Sequence, residues 1–73
     1  MINFLIKDKT KISNALVKFD KLGGQCLYVI NKDHFLIGSL TDGDWRRASL
    51  KNKNKNNTVE SICNKTPVKI NIH

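Results

Sequence analysis

The sequence predicts a small α/β sandwich of the α+β kind, built in the order β-α-β-β-α. An apolar stripe at helical spacing (Ile12, Ala15, Leu16, Phe19) ends at Gly23-Gly24. Two nearly unbroken apolar runs follow, Cys26 to Ile30 and Phe35 to Leu40, joined by Asn31-Lys32-Asp33-His34. The second run leads directly into Thr41-Asp42-Gly43-Asp44, a helix-start signature.

Each element has its own reason. Ile2 to Ile6 is a β-prone run that serves as a first strand. Thr10 is a suitable N-cap for the helix that carries the stripe, whose positions i, i+3, i+4 and i+7 share one face. Gly23-Gly24 stops that helix by supplying the left-handed residue that a helix C-terminus needs. The two apolar runs around a polar turn read as a hairpin. Strands apolar on both sides of the pleat predict cover on both faces by the flanking helices. The strand–helix–strand unit predicts a right-handed crossover. The second helix runs from Thr41-Asp42-Gly43-Asp44 through Trp45 and Ala48 to Leu50. Thr58 then caps a short helix bearing Val59, Ile62 and Cys63. Pro67 prevents its continuation, and Val68 to Ile72 alternates as a strand does.

Composition limits the function. At 73 residues the chain is one small domain, and a domain of that size buries only about 60% of the surface its unfolded chain exposes, so a partner surface is expected to supplement its core. With 40% hydrophobic and 26% charged residues it is an ordinary globular chain. No apolar run suits a membrane span or a signal peptide, which predicts a cytoplasmic domain without a membrane partner. The net charge of +7 comes from 13 Lys and Arg against 6 Asp and Glu, and attracts anions in general. The Lys51-Asn52-Lys53-Asn54-Lys55-Asn56-Asn57 run has no interleaved aromatic, so it reads as a solvated loop and nucleic acid is not the expected partner. Cys26 and Cys63 lack a Cys or His at metal-ligand spacing and read as free thiols, so no metal is expected. No P-loop, dinucleotide fingerprint or Ser-His-Asp order is present, and His34 sits in a turn with no nucleophile beside it, so no catalytic residue is assigned.

Functional content is concentrated in Gly38-Ser39-Leu40-Thr41-Asp42-Gly43-Asp44-Trp45-Arg46-Arg47. Thr41 and Asp44 stand as N-cap and N3, and stability alone accounts for such a capping arrangement. The same residues suit a nucleoside phosphate. A helix N-terminus offers free N–H groups to an anion. Thr41 adds a hydroxyl for phosphate, Asp44 a carboxylate for both ribose hydroxyls, and Arg46 and Arg47 guanidinium groups for phosphate oxygens. Gly38 lets the strand backbone lie close to a flat ring.

In this order, strand, helix, glycine turn, hairpin and Gly38-x-x-Thr41-x-x-Asp44-x-x-Arg47, the chain resembles a CBS domain, the repeat named for cystathionine β-synthase. The resemblance covers nearly the whole chain. The stretch Leu40-Thr41-Asp42-Gly43-Asp44-Trp45-Arg46-Arg47 is similar to CBS repeats attached to sugar nucleotidyltransferases and to arabinose-5-phosphate isomerases, except that Trp45 replaces a usual aliphatic residue. The resemblance implies a regulatory, non-catalytic domain, half of a Bateman module, in which two repeats pair and adenine nucleotides (AMP, ADP or ATP) occupy the clefts between them. It places phosphate on Thr41, ribose on Asp44, and adenine between Thr10 and the hairpin strands. On this reading residues 1–64 are the repeat and 65–73 a linker or the first strand of a second repeat. A lone repeat leaves one apolar helix face unburied, which predicts a homodimer. The alternative is a ligand-free dimerisation element.

Overall fold

The computed structural model describes residues 4–51 and 56–71, from residue 66 onward by backbone alone. The elements are β1 (Leu5–Lys7), α1 (Ile12–Lys21), β2 (Leu27–Ile30), β3 (Phe35–Leu40), α2 (Asp42–Leu50), a 3-10 turn at Val59–Ser61 and β4 (Asn64–Asn71). The strands form a single sheet in the order β1-β2-β3-β4. β1 runs parallel to β2, while β2–β3 and β3–β4 are antiparallel. The expected β-α-β-β-α order is present, followed by the 3-10 turn and β4. Ile2, residues 52–55 of the Lys/Asn loop, Ile72 and His73 lie outside the described residues.

Register explains the core. Ile6 pairs with Val29, and Leu27 with Leu40, so alternate strand positions face one side together. Against them pack Ala15 and Phe19 of α1, with Val59 and Cys63 from the 3-10 segment. Leu27, Val29, Leu40 and Val59 are fully buried. Burying each such side chain contributes about 1.5–3 kcal/mol.

The helices do not cover both faces of the sheet as the apolar runs suggested. Phe19 of α1 and Trp45 of α2 meet with ring centroids 5.4 Å apart in the same core, so both helices share one face. Tyr28 is paired with Leu5 and Ser39 and points to the other face, where it is 36% exposed. The β-branched and aromatic content of β2 marked a strand, but it did not distinguish one covered face from two. Leu16, at the edge of the α1 stripe, is likewise exposed while Ile12, Ala15 and Phe19 are buried.

The C-terminal end of α1 is the one the Gly23-Gly24 pair predicts. Gly23 and Gly24 have φ of 73° and 79°; the Gly24 N–H donates to Phe19 O and the Gly23 N–H to Asp20 O. That is the Schellman pattern, which requires a left-handed residue after the last helical one. At the other end the N-cap is Lys11, not Thr10. The Thr10 backbone is engaged elsewhere: its N–H donates to Lys7 O and its carbonyl accepts from the Val59 N–H. Ile12 N–H donates to Asn57 O, and Lys11 bridges Thr58, so the returning chain satisfies the helix start without a side-chain cap.

The segment from residue 65, expected as a linker or the first strand of a next repeat, belongs to β4 and pairs with β3. Its register shifts between Leu36 and Gly38 of β3. β4 passes through Pro67 there, which has no N–H to give to a ladder.

Candidate functional site

The candidate site lies where β3 gives way to α2. Leu40 is buried under the helices, and Thr41 takes an extended conformation (φ −115°, ψ 174°) that turns the chain out of the strand. Asp44, three residues on, is 4% exposed and is the buried charged side chain among the described residues. Its Oδ2 accepts from the Thr41 N–H at 2.7 Å and from the Thr41 hydroxyl at 3.0 Å. Its Oδ1 accepts from Arg47 Nη2. Burying a carboxylate is costly unless hydrogen bonds and a counterion replace its water, and here two backbone-anchored donors and one guanidinium do so.

The remaining motif residues take different positions. A methyl group on Gly43 would stand 3.4 Å from Arg47 Nη1 and 3.8 Å from Thr41 Oγ1, so the guanidinium lies across the first turn of α2. Arg46 points to solvent and pairs with Asp42 at 3.2 Å. At Gly38 the missing side chain leaves room for the chain itself: a Cβ there would be 2.8 Å from both Cys63 Sγ and the Asn64 carbonyl oxygen. Trp45 packs against Phe19, as expected of a core aromatic, and its Nε1 is a buried donor without an acceptor among the described residues.

Thr10 stands just before the N-cap of α1, where its carbonyl accepts from the Val59 N–H. Trp45 meets Phe19 near the C-terminal end of α1, whereas Thr10 precedes its N-terminus. The helix between them has 10 residues, a length of about 15 Å. Thr41, Asp44 and Arg47 form one hydrogen-bonded unit, with the exposed Arg46 on the same helix.

Spacing could have found the Asp44–Arg47 and Asp42–Arg46 pairs, since residues three and four apart on a helix are neighbours. Three groups elsewhere are tuned. Burial pushes the Cys63 thiol above its usual range, and the Lys65 ammonium 3.6 Å from its sulfur partly opposes that. Lys9 and Glu60 pair at 2.9 Å, which raises the lysine and lowers the carboxylate. No group of three or more His, Cys, Asp or Glu side chains among the described residues is placed to hold a metal ion. No described helix is long and apolar enough to cross a membrane.

No family model matches the sequence, and no curated protein does. Solved structures do match. One is a cystathionine beta-synthase domain protein fused to a Zn-ribbon-like domain, with a TM-score of 0.74 and 25% identity over 90% of this chain and 96% of that one. Another is a CBS domain protein from Pyrobaculum aerophilum complexed with AMP, with a TM-score of 0.73 and 13% identity over 84% of this chain and 48% of that one. A third is CBSX2 in complex with AMP, with a TM-score of 0.67 and 22% identity over 88% of this chain and 52% of that one. The chain thus spans about half the length of the latter two. Its four-stranded sheet with two helices on one face is the fold of a single CBS repeat.

Proposed function

We propose that the chain is a non-catalytic regulatory CBS module that pairs with a second repeat and binds an adenine nucleotide at the start of α2. One observation carries this reading: a hydroxyl, a carboxylate and a guanidinium (Thr41, Asp44, Arg47) are gathered on a single turn at the N-terminus of a helix. The AMP complexes of two structures with this fold support it. Phosphate is assigned to Thr41 and the α2 amides with Arg46 and Arg47, and ribose to Asp44. Adenine is assigned to the space between Thr10 and the hairpin strands. Exposed Leu16 and Val17 on α1, Leu50 on α2 and Tyr28 on the open sheet face supply apolar surface for pairing. A twofold homodimer suits a single repeat.

The resemblance of Leu40 to Arg47 points to a cytoplasmic sugar nucleotidyltransferase as the attached enzyme. Regulation then follows from differential affinity: a nucleotide that fits one arrangement of the pair better shifts the population toward it by no more than that difference. Calorimetric titration of AMP, ADP and ATP into the chain and into Asp44→Ala tests the assignment. Binding that weakens at least tenfold in the variant is expected, and equal heats would remove Asp44 from the site.

One observation favours a second reading. Both Asp44 oxygens already have partners within the chain, which is what capping alone requires. In that reading the module is a ligand-free dimerisation element. Its Tm would then ignore nucleotide, whereas a ligand at 100 times its Kd adds about 2.7 kcal/mol.

A further inference from the structure

We infer that Arg47 is a latch that makes the site demand phosphate and ribose on one molecule. The inference rests on the nucleotide reading above and adds to it a specificity-determining residue. The Asp44 side chain is 3% exposed and that of Arg47 61% exposed, yet the two are in direct contact. The carboxylate is thus fixed in the protein while its counterion sits on a stem free to swing into solvent. The guanidinium also lies over Gly43, across the first turn where an anion would approach the free amides of α2. One group therefore covers the anion position and occupies Oδ1 of the carboxylate.

Opening the latch affects its two members unequally. Arg47 can be satisfied by water, because it is mostly exposed. Asp44 cannot, because a buried carboxylate that loses a charged partner bears the full desolvation penalty. A nucleoside offers Asp44 its two hydroxyls, but these are neutral donors in place of a cation. Inorganic phosphate offers the guanidinium a partner and leaves Asp44 bare. A nucleoside phosphate satisfies both: the phosphate receives the Arg47 fork and the ribose hydroxyls replace it on Oδ1. The ion pair thus acts against each half of the ligand separately and yields only to the whole.

The latch differs from a simple phosphate contact in one sign. If Arg47 only touched phosphate, its loss would weaken AMP and leave adenosine unaffected. With the latch, its loss weakens AMP and strengthens adenosine, because the nucleoside no longer has to displace an internal partner. Calorimetry with AMP, adenosine and inorganic phosphate on the wild-type chain and Arg47→Gln reads this directly. A charge-assisted hydrogen bond of typical strength predicts about a tenfold loss for AMP in the variant and about a threefold gain for adenosine. Arg47→Lys, which keeps the charge but not the fork, carries the same test if Arg47→Gln melts early, with both changes smaller and in the same directions. AMP binding whose adenosine counterpart is unchanged or weaker in the variants overturns the latch and leaves the nucleotide site standing. Failure of AMP to bind the wild-type chain overturns both.

Discussion

Replacing Gly38 by alanine separates what this glycine does for the chain from what it would do for a ligand. The added Cβ would stand 2.8 Å from Cys63 Sγ, 2.8 Å from the Asn64 carbonyl oxygen and 3.3 Å from its carbon. None of these is the far end of a flexible side chain. Asn64 is held by pairing with Ser39, and Cys63 is buried in the core. Overpacking of this kind costs about 1–3 kcal/mol. The lower unfolded-state entropy of alanine returns about 0.4–1 kcal/mol, leaving a net loss of about 1–2 kcal/mol. For a domain of this size each kcal/mol lowers Tm by about 4–8 °C, so a drop of about 5–15 °C is expected. Thermal unfolding followed by circular dichroism and by Trp45 fluorescence, without nucleotide, measures it. An unchanged or raised Tm would refute the packing argument and return Gly38 to the ligand as its only reason.

The remaining predictions concern charge, thiols and association. Cys26 is half-buried and Cys63 buried with its thiol pushed up, so a thiol reagent at neutral pH modifies Cys26 first; faster loss of Cys63 would contradict the core assignment. Because the folded Cys63 thiol titrates above its unfolded value, its contribution is complete below the usual thiol range and is lost as pH rises through the folded value. A Cys63→Ser chain should therefore lack part of the alkaline loss of Tm. The Lys9–Glu60 pair has the opposite limits: the lowered Glu60 gives stability that is lost as pH falls through its depressed value, and the raised Lys9 gives stability that is lost only above the lysine range. The small effect of Glu60→Gln should thus be flat between those limits and fade in about 1 M salt, where the Debye length is about 3 Å. Sedimentation of the wild-type chain should show a concentration-dependent dimer that Tyr28→Lys or Val17→Lys weakens; a monomer at all concentrations would remove pairing from the account.

Much of this fold was legible because local signals agreed with one another. Asn31-Lys32-Asp33-His34 makes a hairpin because Asn31 Oδ1 accepts from the Asp33 and Phe35 N–H groups, and His34 takes a left-handed φ of 67°. Phe35–Leu40 and the start of α2 lie where the apolar run and the Thr-x-x-Asp signature put them. What eluded the sequence is tertiary. Thr10 looked like a cap because its residue type suits one, but long-range hydrogen bonds to Val59 and a bridge at Thr58 moved the helix start to Lys11. The alternation of Leu27, Tyr28 and Val29 was hidden because tyrosine is apolar enough to pass for core. Gly38 was read toward a ring, whereas its space is taken by Cys63 and Asn64, residues distant in sequence.

The site was legible in its members and not in their state. Residue types named a hydroxyl, a carboxylate and two guanidinium groups, and the structure places three of the four in one hydrogen-bonded unit. That the carboxylate is buried, and that Arg47 rather than water completes it, depends on how α2 lies against β3, which no spacing encodes. Asp44 is therefore both the cap that stability needs and the acceptor that a ribose would need.

The amide spectrum of the 15N-labelled chain, recorded over a series of protein concentrations and titrated with AMP, tests that double role most directly. The account predicts saturable shifts of the Thr41, Asp42, Gly43 and Asp44 amides together with the Arg47 side-chain Nε–H, and their loss in Asp44→Ala. Shifts confined to the lysine-bearing surface, or none at all while the chain remains folded, would contradict it.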